Sequence, residues 1–428
     1  MNKVAMLLTG NRWNYTNDII KNKTMKVLQI NVTCGKGSTG VIAVEIADLL
    51  RSQGHESSVA YGSVSSDYPY KYRIGSDNEN RFHALWNTRI LGEEGTGTKE
   101  GTRKFIQWIE EYNPDIIQIH NLHSNYLNYE MFFSFLAKTQ IPVVWSFFDC
   151  WPFTGKCTHF TEAGCRKWET ECCNCPQLHN SGAITWFFDK TRKMFNQKKD
   201  WFTKLNLNII VCSKWLESEV KKSFLKNFPI TMIYNWIDMN KFKEIHDDSI
   251  YDKYGIDLTK DILVSVSAFW DDKGTRFADA CRLATVLPDN YQLVIIGKKV
   301  TKKPLVGNMV HINYVNGVEE LSKLYSAAIA FAGFSVEDTF GKVFAESMLC
   351  GTPAVVFNAT ACPEVVGDAG FAVEPHNVSQ MAEKIEIIRQ NGRSFYAQKC
   401  KDRVIANYKY EDNVNRYIQL YEKILSKK

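Results

Sequence analysis

The chain has 428 residues, of which 45% are hydrophobic, 13% aromatic and 23% charged, with a formal net charge of +5. That composition has ample core material and excludes a disordered, collagenous or coiled-coil chain. The mild positive charge suits a surface that meets phosphates or anionic lipid heads and is too weak to argue for nucleic acid.

Residues 1–24 look unlike the rest and read as an extension or a misassigned start. They carry no signal-peptide pattern, and no apolar run approaches the ~20 residues that span a bilayer. A cytoplasmic location is therefore expected. From Met25 the chain enters a strand, Val27–Val32. A glycine loop follows, Gly35-Lys36-Gly37-Ser38-Thr39-Gly40, and then a helix with Ile42, Ile46, Leu49 and Leu50 at helical spacing. This strand–helix opening predicts a parallel sheet. Strand-like runs recur at 57–61, 115–120, 143–148, 208–212 and 230–234. After a polar hinge at 238–260 a second series runs through 262–267, 292–296, 309–312, 328–332 and 354–357. The pattern predicts two Rossmann-like, doubly wound α/β domains, at 25–238 and 239–410, facing each other across a cleft. A last helix, 411–428, is free to return to the first domain. Tandem domains of this kind bind ligand at the carboxyl ends of their strands.

The densest chemistry lies in Ser335-Val336-Glu337-Asp338-Thr339-Phe340-Gly341-Lys342-Val343-Phe344-Ala345-Glu346, followed by Cys350-Gly351-Thr352-Pro353. A helix that starts near Gly341, at a strand's carboxyl end, offers free N–H groups and a positive dipole end to a phosphate. Asp338 precedes it and Glu346 sits inside it, and a carboxylate there can clamp two sugar hydroxyls. Taken alone, the same residues also fit a capping acid and an exposed helical glutamate.

This segment resembles the signature of the retaining glycosyltransferases of family 4, which have the GT-B fold. Asp338 stands where the family has its first glutamate, and Glu346 matches the second. The resemblance implies that Glu346 holds the ribose hydroxyls of a nucleotide, and that Asp338 and the backbone around Phe340, Gly341, Lys342 and Val343 face the donor sugar and phosphates. Phe269-Trp270-Asp271-Asp272-Lys273-Gly274 resembles the family's pyrophosphate-binding loop. Lys273 matches one of its two cations, but the arginine position falls on Ala268, with Lys342 or Lys298 as candidate replacements. Tyr234-Asn235-Trp236-Ile237-Asp238, Ser213-Lys214-Trp215 and Cys362-Pro363-Glu364 match further family segments. The family places a loop such as Gly35-Lys36-Gly37 across the cleft from the nucleotide.

His120 and His123 follow one strand and Asp149 follows another. Relatives have His-Asp where this chain has Phe148-Asp149, so His120 or Asp149 is the candidate to orient the acceptor hydroxyl. The insert 150–176 holds six of the twelve cysteines. Cys172 and Cys175 have zinc-knuckle spacing, and Cys157 and Cys165 are candidates to complete a four-cysteine structural site. The cluster reads equally as buried thiols without metal. A similar insert occurs in a family subgroup that builds bacterial surface polysaccharides.

The resemblance implies transfer of a sugar from a UDP- or GDP-sugar to a glycan or lipid-linked acceptor in capsule, exopolysaccharide or O-antigen assembly. No metal is expected in catalysis. Two rival readings are a nucleotide-sugar epimerase and a non-catalytic nucleotide-binding relative. The basic, aromatic stretch from Trp186 to Phe202 is a candidate contact with the inner membrane face, or a helix packed on the first domain.

Overall fold

The computed structural model describes residues 24–427 apart from Ser181 and Lys273. Residues 1–23 lie outside the described residues. Two parallel sheets are present. The first contains β1 (Lys26–Asn31), β2 (Glu56–Tyr61), β3 (Lys71–Arg73), β4 (Ile116–Ile119), β5 (Val143–Phe147), β6 (Leu207–Val211) and β7 (Ile230–Met232), in the order β3-β2-β1-β4-β5-β6-β7. The second contains β8 (Asp261–Trp270), β9 (Tyr291–Lys299), β10 (Met309–Ile312), β11 (Ala330–Gly333), β12 (Ala354–Phe357) and β13 (Phe371–Val373), in the order β10-β9-β8-β11-β12-β13. Every pairing is parallel, and helices cover both faces. That cover explains why β4, β5 and β12 are buried at every position rather than at alternate ones.

The chain crosses between the domains at two adjacent points. Ile237 on the way out donates its N–H to the Tyr408 carbonyl at 2.8 Å. On the way back, the helices Arg393–Tyr408 and Tyr410–Leu425 are separated by the single extended residue Lys409. The last helix buries Val414, Tyr417, Ile418 and Tyr421 against Val27, Ile46 and Ile210 of the first domain. Its Tyr421 hydroxyl donates to Gln118 Oε1 at 2.9 Å beneath the first sheet. This strap fixes the hinge side of the cleft and leaves the strand ends facing each other.

Candidate functional site

Strand order reverses between β1 and β4 in the first sheet and between β8 and β11 in the second. The loops leaving those strands meet around a cavity of about 380 Å³. The first domain contributes Ser38, Thr39 and Phe148 to its wall. The second contributes Ala268, Arg276, Ser335 and the stretch Asp338–Phe344.

Two helices begin at this wall, Gly37–Ser52 and Lys342–Leu349, and neither has a side-chain cap on its first N–H groups. Gly341 holds the second start open. Its φ is +84°, and a Cβ there would come within 2.5 Å of the Phe344 ring. Uncapped N–H groups and two dipole ends aimed at one cavity make it a site for an anion. Two cations join them. Lys342 opens its helix, and Arg276 opens the helix Arg276–Val286. The Arg276 guanidinium donates to Ser267 Oγ at 2.8 Å and to Ser335 Oγ at 3.0 Å, so it is held between the ends of β8 and β11.

The expected residues do not all reach the cavity. Asp338, Phe340, Gly341, Lys342 and Val343 line the cavity, as does Asn235. Asp338 is fixed through its backbone, its N–H donating to Thr360 Oγ1 at 3.2 Å. Glu346 lies one turn deeper in the helix, half-buried, and accepts a long 3.4 Å hydrogen bond from the Tyr325 hydroxyl. Burial raises its carboxyl above the usual range against the pull of Lys342. Lys273 lies outside the described residues. Lys298 is exposed beyond the cavity wall, so of the two proposed replacements for the missing arginine only Lys342 stands at the cavity. Gly35 and Gly37, both at φ +64°, and the exposed Lys36 shape the turn, but Ser38 and Thr39 behind them meet the cavity.

The two acceptor-side candidates, His120 and Asp149, are placed differently. His120 faces inward: its Nε2 pairs with Gln29 Oε1 at 2.7 Å, and its ring stacks behind Phe148. Burial pushes its pKa down to about 3, so it is a neutral core histidine. Asp149 is paired instead with His123, whose Nε2 is 3.0 Å from Asp149 Oδ2. Burial opposes both charges, but the hydrogen bond and mutual attraction prevail, raising the pKa of His123 and lowering that of Asp149. Asp149 Oδ1 also accepts the Trp151 N–H at 2.8 Å. The neighbouring Glu94 is buried and accepts the Trp151 indole N–H at 2.9 Å and the Ser124 N–H at 3.0 Å.

Cys157, Cys165, Cys172 and Cys175 converge on one pocket of about 20 Å³. Even so, no group of three or more ligating side chains among the described residues is placed to hold a metal ion. Three of the four sulfurs, those of Cys157, Cys172 and Cys175, take part in hydrogen bonds. Gly155 N–H donates to Cys172 Sγ at 3.2 Å, and the hydrogen bond between Cys157 and Cys175 pulls the Cys175 pKa down while pushing Cys157 up. The insert also reaches the second domain. Glu162 Oε1 accepts the Thr275 N–H, and the Glu162 N–H donates to Glu337, both at 2.9 Å.

Three further motifs meet at the domain boundary. The Glu364 carboxylate accepts the N–H of Lys214 at 2.9 Å and of Trp215 at 3.3 Å, and the Tyr234 hydroxyl at 2.7 Å.

Comparison with known proteins agrees with this architecture. The family described as Glycosyltransferase Family 4 matches residues 39–241, and Glycosyl transferases group 1 matches residues 247–412. A putative colanic acid biosynthesis glycosyl transferase of Escherichia coli is 24% identical over 424 residues, covering 94% of this chain and 100% of the relative. Among solved structures, sucrose-phosphate synthase of Thermosynechococcus elongatus superposes with a TM-score of 0.66 at 15% identity, covering 94% of this chain and 100% of that one. HepE of Anabaena, solved with UDP and glucose, superposes with a TM-score of 0.62 at 15% identity and the same coverage. The chain belongs to glycosyltransferase family 4 and is a glycosyltransferase of the GT-B fold.

Proposed function

We propose that the protein transfers a sugar from a UDP- or GDP-sugar to a glycan or lipid-linked acceptor in bacterial surface-polysaccharide assembly, with retention at the anomeric carbon. The supporting observation is the cavity where two uncapped helix starts, Arg276 and Lys342 converge. A diphosphate is the anion that such a double-sided cradle fits. The surface-polysaccharide setting is supported by the colanic acid relative, and UDP is favoured by the ligand of HepE.

In this reading the diphosphate lies between the two helix starts, and Glu346 takes the ribose hydroxyls. The donor sugar lies against Asp338. The bond from its anomeric carbon to the diphosphate oxygen breaks as the acceptor oxygen bonds to that carbon on the same face. The acceptor proton passes to the departing phosphate oxygen. A retaining hydrolase mechanism would require a carboxylate pair ~5 Å apart. Here the protein's part is positioning and charge stabilisation. Arg276, Lys342 and Lys273 offset the charge that grows on the diphosphate. The paired His123 and Asp149 orient the acceptor hydroxyl. No step calls for a metal, and the thiol cluster acts by holding Glu162 against the donor loop. Catalysis takes place in the cytoplasm, on or near the inner membrane face.

Product analysis tests this. The protein is incubated with UDP- and GDP-sugars and with lipid-linked glycan acceptors. Glycosylated acceptor with retained configuration, together with stoichiometric nucleoside diphosphate, supports the reading. A free sugar isomer formed without acceptor would identify an epimerase. Nucleotide binding without turnover on any acceptor would identify a binding protein.

A further inference from the structure

The first domain carries a patch of exposed aromatic and aliphatic side chains drawn from two separate segments. Phe82, Leu85 and Trp86 lie on and beside the π-helix His83–Ile90, and Trp186, Phe187 and Phe188 lie on a later loop. The segments are stitched together. The Trp186 N–H donates to the Arg89 carbonyl at 2.7 Å, and the Arg89 guanidinium lies 5.8 Å over the Trp186 ring. Phe82 stacks on Trp86, one helical turn before Arg89. Phe187 is 66% exposed, an unfavourable position for a phenylalanine that faces only water.

Bases predominate around the patch, with Asp189 the exposed acid beside it. Arg81 and Arg89 are exposed, and Lys190 lies over the Phe188 ring. The nearby acids are occupied. Asp189 accepts the N–H groups of Cys175 and Thr191, and Glu93 is paired with Lys193. Aromatic side chains interleaved with bases match the interfacial layer of an anionic bilayer, where the rings sit at headgroup depth and the bases meet phosphates. No helix among the described residues is long and apolar enough to cross a membrane, so such a contact is peripheral.

This surface differs from the basic stretch that the sequence suggests. In the helix Thr191–Phe202, Lys198 and Phe202 are buried, and Lys198 donates to the Trp151 and Thr154 carbonyls. The helix is packed on the domain, and only the loop before it joins the patch.

We propose that Phe82, Leu85, Trp86, Trp186, Phe187 and Phe188, with Arg81, Arg89 and Lys190, dock the first domain on an anionic lipid bilayer. The proposal rests on the glycosyltransferase reading only for its purpose. The segment that carries Trp86 and Arg89 continues through Gly92 to Glu94, which sits beside Trp151 and the His123–Asp149 pair. Docking through this face therefore brings the acceptor side of the cleft to the lipid surface, where a lipid-linked acceptor would be held.

The test is co-sedimentation of the full chain with vesicles, without donor or acceptor. Vesicles of phosphatidylcholine with about a third phosphatidylglycerol should carry the protein down, and pure phosphatidylcholine should not. Trp86→Ser combined with Phe187→Ser should weaken binding about tenfold, and Arg81→Ser with Arg89→Ser by a similar factor with less salt sensitivity. Because these side chains are exposed, the variants should keep the wild-type melting temperature and nucleotide affinity. No sedimentation at low salt, or equal binding by the variants, would overturn the proposal. So would a dimer in sedimentation velocity that Phe187→Ser dissolves, since the patch would then seat a second copy. Vesicle binding and nucleotide binding are separate readouts, so one can fail without the other.

Discussion

Arg276 donates to Ser335 Oγ at 3.0 Å, joining the first turn of the helix after β8 to the loop after β11. A base in a first helical turn opposes the helix dipole and is favourable only when an anion arrives. Lys342 stands in the same position on its own helix. Lys214 begins a third helix, and there the structure holds the anion: the Glu364 carboxylate sits on its first N–H groups. In the proposed reading Arg276 takes the role of the cation missing at Ala268. Replacing it with alanine should weaken diphosphate binding by about 2 kcal/mol, or about thirtyfold. Arg276→Lys should recover part of this. Calorimetric titration with the nucleoside diphosphate reads both.

Glu346 separates binding from stability. Burial raises its folded pKa, so the folded state holds the proton to higher pH than the unfolded state. Stability therefore falls as pH rises from the ordinary carboxylate value through the raised one, and remains lower at neutral pH. Glu346→Gln should melt at or slightly above the wild-type temperature at neutral pH yet bind nucleotide about tenfold more weakly, having lost a charged acceptor for the ribose hydroxyls. A variant that melts lower and binds normally would remove Glu346 from the site.

His123 and Asp149 form a hydrogen-bonded pair, which the proposed reading places at the acceptor. The raised His123 pKa contributes stability that is complete below its ordinary value of 6.5 and fades as pH rises through the raised value. The lowered Asp149 pKa contributes above its ordinary 3.8 and is lost as pH falls through the lowered value. His123→Gln should accordingly cost about 1 kcal/mol between those limits and less in alkali. Thermal melts across pH check this. The same variant should lower kcat/KM for acceptor more than for donor.

The fold was legible because both sheets are buried on two faces, which leaves strand segments such as 293–296 and 354–357 as uninterrupted apolar runs. The short edge strands β3 and β13 were not, since Lys71–Arg73 and Phe371–Val373 are too short and too exposed to show a period. At the site, local motifs carried Asp338 to Val343 to the cavity wall. Arg276, which also lines the cavity, was missed because it lies eight residues past Ala268, where the motif has its arginine. Its position at the start of a helix, against the dipole, was the available signal. His120 and His123 were indistinguishable in sequence. A turn three residues long decides which faces Gln29 in the core and which faces Asp149.

The insert predicts a reactive thiol. With its pKa lowered by the hydrogen bond from Cys157, Cys175 should be the first cysteine of the cluster to react with iodoacetamide, at a pH below that at which an ordinary thiol reacts. Peptide mass spectrometry locates the label. Selective labelling of Cys157 instead would reverse the assignment of the shared proton.

The central claim is that the cavity between the two helix starts receives a nucleoside diphosphate. The most direct measurement is calorimetric titration of wild type and Arg276→Ala with UDP, GDP and ADP. Saturable binding of one of them to wild type, weakened at least about tenfold in the variant, is predicted. Equal affinity in the two proteins, or binding of none of the three by wild type, would contradict it.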